Sequence, residues 1–247
     1  MTILTNKEDI LKIREAGKII KDIFSLLETY IKEGISTGEL NRKVEEFIIG
    51  REAEPAFKGY KGYPAAICAS INEVVVHGIP GDNIILKNGD IIGIDVGVKK
   101  NGYYADAART FAIGEISSEA FRLIDVTKKC LSSGIKQALA GNRVSDISHA
   151  VQTVAENAGF QEVRVFVGHG IGKNLHEAPE IPNWGKKGKG PVMKEGLVLA
   201  IEPMINAGAR DVRILSDGWT AVTSDGKLSA HFENTVIVGQ KEAEIIT

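Results

Sequence analysis

Apolar residues recur at three- and four-residue intervals near the start of the chain, at Ile10, Ile13, Ala16, Ile19, Ile20 and Ile23. This spacing places them on one face of an amphipathic helix. Thr5 followed by Glu8 is typical of a capping box, and glycine often ends a helix. We therefore predict a long helix that begins after Thr5 and ends near Gly34. A shorter helix is predicted from Ser36 to about Gly50.

Segments rich in Ile and Val follow these helices and predict strands near 65–76, 90–98 and 103–113, with a turn at Asn101-Gly102. The second half has the same order. Helices opened by Ser117 and Ser145 are predicted to end near Gly141 and Gly159. Strands are predicted near 161–167, 196–205, 211–222 and 231–238. The order of helix, helix and strands therefore occurs twice, which indicates an α+β fold.

The repeat is also visible in single residues. The pattern Lys87-x-Gly89-x-x-x-x-Ile94-Asp95 matches the segment 194–202, which ends in Ile201-Glu202, at an offset of 107 residues. The triplet His-Gly-Ile occurs at 77–79 and 169–171, at an offset of only 92 residues. A gap before the second triplet and an insertion after it, which would contain 183–191, are needed to align the halves. We expect a single catalytic domain of residues 1–247, with halves of roughly 5–115 and 116–247 and a site between them.

Composition excludes several classes of function. The chain is 43% hydrophobic and 25% charged with a net charge of -2, so nothing indicates a DNA-binding surface. Two cysteines, Cys68 and Cys130, are too few for a disulfide framework and favour a reducing compartment. No secretory signal and no apolar run of about 20 residues is visible. These absences lead us to expect a cytoplasmic protein without a membrane partner.

Asp95 and Asp106 form a candidate pair of acidic side chains. A two-residue turn at Asn101-Gly102 pairs Lys100 with Tyr103, which places Asp106 opposite Gly97. Asp95 and Asp106 then share one face of the hairpin, because residues two apart point to the same side. A slip of one residue would separate them. With this register, the two carboxylates either are solvated on a surface hairpin or share a proton or a cation in a buried one.

Three histidines and two glutamates are further candidates. His77, His169 and His176 follow strands in Gly-rich segments, where binding groups often lie. Glu202 ends an apolar run and Glu233 lies in a predicted strand. Each alone is explained by a polar surface, a salt bridge or a cap, and His231 stays ambiguous. Together, two Asp, two Glu and one His are ligands that two divalent ions would require.

The motifs around these residues resemble methionine aminopeptidases of type I, in order and over essentially the whole chain. The matching segments are Asn72-Glu73-Val74-Val75-Val76-His77-Gly78-Ile79-Pro80, Gly93-Ile94-Asp95-Val96-Gly97, Ala105-Asp106, Gly168-His169-Gly170-Ile171-Gly172, His176-Glu177, Ile201-Glu202-Pro203 and Phe232-Glu233-Asn234-Thr235. The chain lacks the long insertion of type II members and the zinc-binding N-terminal extension of eukaryotic type I members. It is therefore most similar to the bacterial type.

The resemblance implies the pita-bread fold, an α+β fold with two pseudo-symmetric halves. It implies two divalent ions (Co, Mn, Fe, Zn or Ni) that activate a water for attack on the peptide carbonyl and are bound by Asp95, Asp106, His169, Glu202 and Glu233. Asp106 and Glu233 would bridge the ions, and Glu202 would also transfer protons. His77 and His176 would contact the substrate and stabilise the tetrahedral intermediate.

The resemblance also implies the substrate and further partners. Tyr60, Tyr63, Cys68 and Trp219 would form an apolar methionine pocket, and Asn72, Val74 and Ser229 would bind a monovalent cation. Phe57 and Leu175 depart from the family pattern, which puts the shape of the pocket in question. The expected activity is removal of the initiator methionine from nascent polypeptides, with a small second residue, by a monomeric enzyme. The Lys-rich stretch within 183–191 is either a solvated loop or a contact with the ribosome.

Two other functions stay open at this point. A prolidase, or an aminopeptidase that cleaves before proline, would share the metal ligands. Such enzymes usually carry a separate N-terminal domain, for which a helix starting near residue 5 leaves no room. A pita-bread module that only binds peptides or ribosomes would typically lack metal ligands, whereas all five are present in this chain.

Overall fold

The computed structural model describes residues 1–247, and its four helices coincide with the periodic segments. Their bounds are α1 (Lys7–Tyr30), α2 (Thr37–Gly50), α3 (Ser118–Ile135) and α4 (Val144–Asn157). Ser36 and Ser117 cap α2 and α3, since their side-chain oxygens accept hydrogen bonds from the amides of Glu39 and Ala120. The predicted starts of these two helices are confirmed.

The ends of the two long helices were predicted too late. The helix α1 ends at Tyr30 and α3 ends at Ile135, several residues before Gly34 and Gly141. Both glycines have positive φ, +87° and +93°, and lie in the turns that follow the helices. The Gly34 amide donates to the Leu86 carbonyl at 2.8 Å and the Gly141 amide to the Met193 carbonyl at 3.0 Å. Each glycine therefore allows a turn that is tied to a distant segment, and neither ends a helix.

The capping box predicted at Thr5 is also wrong. Asn6 is the N-cap of α1, and its Oδ1 accepts from the Asp9 amide at 2.8 Å. The asparagine lies one residue closer to the helix and bonds its third amide, so the threonine has no capping role.

Fifteen strands complete the fold. They are β1 (Glu54–Pro55), β2 (Ile67–Ile71), β3 (Val74–Val76), β4 (Ile91–Lys100), β5 (Tyr103–Ala112), β6 (Gln161–Glu162), β7 (Val167–Gly170), β8 (Glu177–Pro182), β9 (Val198–Ile201), β10 (Met204–Asn206), β11 (Val212–Ile214), β12 (Ala221–Thr223), β13 (Ser229–His231), β14 (Asn234–Ile237) and β15 (Glu244–Ile245). Every pairing between these strands is antiparallel.

The strands form four sheets, two of which carry most of the site. One sheet has the order β1-β4-β2 with β5 on β4, and another has the order β15-β14-β9-β7-β8. Two three-stranded sheets, β13-β10-β6 and β11-β12-β3, lie beside them. The pairing of β3 with β12 joins the first half of the chain to the second through Val76 and Ala221.

The segments predicted as single strands near 65–76, 161–167, 196–205, 211–222 and 231–238 are each divided between two strands, and the strand β8 was not predicted. The segment 211–222 is a hairpin of β11 and β12, because Asp217 accepts from the amides of Trp219 and Thr220 and Gly218 has φ +78°. The strand β8 was missed because Pro179 and Pro182 argue against a strand. The structure places β8 at the edge of its sheet, where prolines are tolerated.

Each half has its own hydrophobic core beneath the helices. Ile20 and Phe24 of α1 pack with Ile94 and Val96 of β4, and α3 packs in the same way against residues of β9 and β14. The helices therefore cover the outer faces of the sheets, and the opposite faces are free to form a cavity. No helix combines the length and apolar character that a membrane span requires. Cys68 and Cys130 are buried free thiols.

Candidate active site

The five predicted metal ligands line one cavity of about 290 Å³. Asp95 and Asp106 lie on β4 and β5, and His169 lies on β7. Glu202 directly follows β9, and Glu233 lies between β13 and β14. The residues come from both halves of the chain, and the cavity lies where the two larger sheets meet.

The hairpin β4–β5 has the register predicted from its turn. Lys100 pairs with Tyr103, and Gly97 pairs with Asp106. Asp95 and Asp106 therefore point to the same side of the sheet, and the alternative of a one-residue slip is excluded. A Cβ atom at Gly97 would lie 2.6 Å from the Phe57 ring, so glycine is needed there to admit this aromatic side chain.

Three of the ligand side chains are close enough to hold one ion. One ligand atom each from Asp106, His169 and Glu233 lies within 4.8 Å of the others, and all three residues are buried. The Nε2 atom of His169 is 3.5 Å from Asp106 Oδ2 and 3.6 Å from Glu202 Oε1. Asp95 Oδ1 is buried without a hydrogen-bond partner. Unpaired oxygens and an imidazole nitrogen that converge in this way fit a divalent cation.

The electrostatics of the cavity also favour a cation. Burial, together with the charge of Asp106, raises the pKa of Asp95 well above its ordinary value. Burial and neighbouring carboxylates do the same to the pKa values of Glu202 and Glu233, and burial raises the pKa of Asp106 to about 6. Four carboxylates cannot all ionise there without a counter-charge, which a metal ion would supply.

Hydrogen bonds fix the orientation of two ligand side chains. Thr235 Oγ1 accepts from the Asp106 amide at 3.0 Å, and its single proton is shared between the Asp106 carbonyl at 2.9 Å and Asp106 Oδ1 at 3.0 Å. His169 Nδ1 donates to the Gly170 carbonyl at 2.9 Å, which leaves the Nε2 lone pair directed into the cavity. Burial lowers the pKa of His169 to about 4, so the ring is neutral near pH 7. The sheets are also joined by the Glu233 amide, which donates to the Ala108 carbonyl at 2.9 Å.

Two further histidines, His77 and His176, line the cavity. His77 follows β3 in the left-handed region, with φ +61°, and its ring meets those of Phe166 and Trp219 edge-on. The His176 ring lies 4.3 Å from that of His169, and its Nδ1 is 2.8 Å from the Tyr60 hydroxyl. Burial lowers the pKa of both His77 and His176, the latter to about 4. Near pH 7 each is a neutral ring that can donate one N–H.

Aromatic and apolar side chains form the wall beside the ligands. Tyr63 and Trp219 meet edge-on with centroids 5.1 Å apart, and the Tyr63 hydroxyl donates to the Gly78 carbonyl at 3.0 Å. Cys68 on β2 pairs with Asp95 on β4, so the wall directly adjoins a ligand. Phe57 and Leu175, the two departures from the family pattern, also line the cavity. The wall therefore contains all four predicted pocket residues, and Tyr60 is the one that contacts His176.

The three residues predicted to bind a monovalent cation lie outside this cavity. The Ser229 amide donates to the Asn72 carbonyl at 2.8 Å, and Asn72 has φ +52°. Val74 begins β3 and pairs with Val222. The structure brings Asn72 and Ser229 into contact beside this strand.

Several residues in or beside the cavity were given no role from the sequence, and His231 lies beside it. His231 is buried, and its Nε2 has no hydrogen-bond partner and lies 3.7 Å from Glu202 Oε2. Its position two residues before Glu233 was a signal that it could face the same site. Val165, Phe166 and Lys61 line the cavity itself, but no local pattern marks them.

Comparisons with known proteins agree with this arrangement. The model of metallopeptidase family M24 matches residues 11–240. Methionine aminopeptidase of Clostridium acetobutylicum is 51% identical over 247 residues, which are 100% of this chain and 99% of the relative. Methionine aminopeptidase of Escherichia coli K12 is 41% identical over 241 residues, which are 97% of this chain and 91% of the relative.

Solved structures show the same fold. The methionine aminopeptidase of Thermotoga maritima superposes with a TM-score of 0.97 at 41% identity. The match covers 100% of this chain and 99% of the Thermotoga chain. The prolidase of Pyrococcus furiosus has a TM-score of 0.80 at 23% identity, and the match covers 99% of this chain but 65% of the prolidase. The prolidase likeness concerns the fold alone, which is the pita-bread α+β fold expected from the sequence. The chain belongs to metallopeptidase family M24 and, within it, to the methionine aminopeptidases of type I.

Proposed function

We propose that this aminopeptidase removes the N-terminal methionine of polypeptides with a dinuclear metal centre and prefers substrates with a small second residue. The observation that carries the proposal is the single cavity in which five metal-ligand side chains face an apolar aromatic wall. A pocket for one apolar side chain next to a cation site suits an exopeptidase that recognises methionine.

Asp95, Asp106, His169, Glu202 and Glu233 would hold the two ions, with Asp106 and Glu233 shared between them. Their oxygen and imidazole ligands suit Mn, Fe, Co, Ni or Zn. When bound, such ions polarise a carbonyl and lower the pKa of water. The hydrogen bond from Thr235 to Asp106 and the one from His169 to Gly170 support this assignment, because both hold ligand atoms toward the cavity.

Glu202 would transfer the proton from the attacking water to the leaving amine. Its carboxylate lies next to His169 and is 14% exposed, so it can reach both the cavity and a bound peptide. His77 and His176 would donate hydrogen bonds to the peptide carbonyl as negative charge develops on its oxygen. Their neutral state supports this role, because each retains an N–H at neutral pH.

Tyr63, Cys68 and Trp219 would contact the methionine side chain, with Tyr60 orienting His176. The preference for a small second residue is carried over from the resemblance to type I methionine aminopeptidases. Asn72, Val74 and Ser229 would bind one monovalent cation through a separate set of contacts.

We also propose that residues 1–247 act as one catalytic domain with halves of roughly 5–115 and 116–247. Equivalent contacts support this division. The bridge between Ser36 and Ile85 and the one between Arg143 and Val192 are related by the same 107-residue offset as the sequence repeat. The expected setting is a cytoplasmic monomer that acts on nascent chains, with the ribosome as a further candidate partner.

Hydrolysis of Met-Ala-Ser and Leu-Ala-Ser by metal-depleted protein, with and without added Mn²⁺ or Co²⁺, tests the activity. We expect metal-dependent release of methionine and no release of leucine. Release of both residues would contradict the methionine pocket, and release without metal would contradict the dinuclear centre. Met-Leu-Ser and Met-Ala-Ser compared at equal concentration test the preference at the second residue.

A further inference from the structure

A single lysine side chain determines the charge at the mouth of the cavity. Lys61 lines the cavity and is exposed, whereas the four lining carboxylates belong to the buried or half-buried floor. Its Nζ lies 5.4 Å from the centroid of the Tyr60 ring, and the Tyr60 hydroxyl contacts His176 Nδ1 at 2.8 Å. Lys61 therefore contacts Tyr60, and Tyr60 contacts His176, which would touch the peptide bond being cleaved.

The Lys61 ammonium has no acidic partner within this chain. It forms no ion pair and donates no side-chain hydrogen bond, whereas the nearby exposed Lys58 is paired with Glu45. Its ammonium lies over the Tyr60 ring, 5.4 Å from the centroid, and is not paired with any carboxylate of the chain. The positive charge of Lys61 is therefore available to an acidic group of a ligand.

The backbone holds this side chain at the mouth. Lys61 has φ +49° and ψ 24°, which are not helical values, in the short turn 60–62, and Gly59 and Gly62 also have positive φ. The left-handed region is uncommon for lysine, whereas Gly59 and Gly62 adopt it freely.

We infer that Lys61 binds an acidic side chain at the third or fourth residue of the substrate and so favours polypeptides with Asp or Glu there. The path from the His176 ring over Tyr60 to Lys61 is on the order of 10 Å, which an extended peptide covers in about three residues. The preference rests on the proposed function, since a peptide must first place its N-terminal residue in the cavity.

The preference can be measured with peptides that differ only in charge. The probes are C-terminally amidated Met-Ala-Asp-Ser, Met-Ala-Asn-Ser and Met-Ala-Lys-Ser, with a second series that carries the charge at the fourth residue. We expect kcat/KM for the acidic peptide to exceed that for the basic one by about threefold to fivefold at low salt, as for an exposed ion pair. The ratio should approach one in 0.5 M salt because ions screen the interaction.

Two variants and a matched control assign the effect to this residue. Lys61→Gln should abolish the preference, and Lys61→Glu should reverse it in favour of the basic peptide. Lys58→Gln, an exposed substitution outside the cavity, should keep the wild-type ratio. Equal kcat/KM for all peptides in the wild type, or an unchanged ratio in Lys61→Gln, would overturn the role of Lys61 alone. No methionine release from any peptide would instead overturn the proposed function.

Discussion

Replacing Thr235 by Val is the sharpest test of how the metal site is organised. The substitution keeps the size and branching of the side chain but removes the hydroxyl, which accepts from the Asp106 amide and whose proton is shared between the Asp106 carbonyl and Asp106 Oδ1. Thr235 is fully buried, so water cannot replace these bonds. Leaving the buried Asp106 amide without an acceptor lowers the folding stability by about 1–3 kcal/mol.

The effect on metal binding should be specific. Without its hydrogen bond, the Asp106 carboxylate can rotate, and its pKa rises further above the value of about 6 that burial already produces. A raised pKa makes protons compete better with the metal. Removal of a group that orients a metal ligand typically lowers affinity by about 10–100-fold, and we expect this loss for Mn²⁺ in Thr235→Val.

Isothermal titration of metal-depleted protein with Mn²⁺ measures the affinity, and urea unfolding measures the stability. Thr235→Ser keeps the hydroxyl and should bind like the wild type. Thr127→Val removes another fully buried hydroxyl, which bonds the Leu123 carbonyl far from the cavity, and controls for general destabilisation. Wild-type affinity in Thr235→Val would refute the view that this hydrogen bond organises the site.

Three further outcomes are expected. Asp95→Asn should lose metal binding and methionine release together, as measured by titration and peptide hydrolysis; retention of either property would contradict its role as a ligand. His77→Ala should lower kcat by roughly 100-fold while metal stoichiometry stays unchanged, as for loss of one oxyanion donor. Mn²⁺ should raise the Tm more at pH 7.5 than at pH 5.5, because Asp106, with a pKa of about 6, and the other cavity carboxylates, whose pKa values are also raised, hold protons at the lower pH. An equal rise at both pH values, in a thermal scan, would show that these carboxylates do not exchange protons for the metal.

Local sequence predicted those parts of the fold that local interactions determine. The Asn101-Gly102 turn fixes the register of β4 and β5, so the shared face of Asp95 and Asp106 followed from a few neighbouring residues. The helix ends did not follow, because Gly34 and Gly141 are held by carbonyls of Leu86 and Met193, about 50 residues away. A glycine alone does not show whether a helix ends there or a later turn begins.

The rest of the site could be predicted only in part. His169, Glu202 and Glu233 meet the two aspartates through pairing between distant strands, which no local pattern specifies. The resemblance to a family identified them, whereas spacing alone did not. His231 stayed ambiguous because its significance depends on a distance of 3.7 Å to Glu202, a contact between separate strands.

The pairing of Cys68 with Asp95 has a consequence for how selectivity can change in this enzyme. A residue of the proposed methionine pocket and a proposed metal ligand are hydrogen-bonded neighbours on β2 and β4, so backbone movement in β2 displaces both. Trp219, in contrast, lies in the turn between β11 and β12, which contains none of the five ligands. Variants with altered side-chain preference and intact turnover should therefore arise through the Trp219 turn, whereas repacking of β2 should change selectivity and catalysis together.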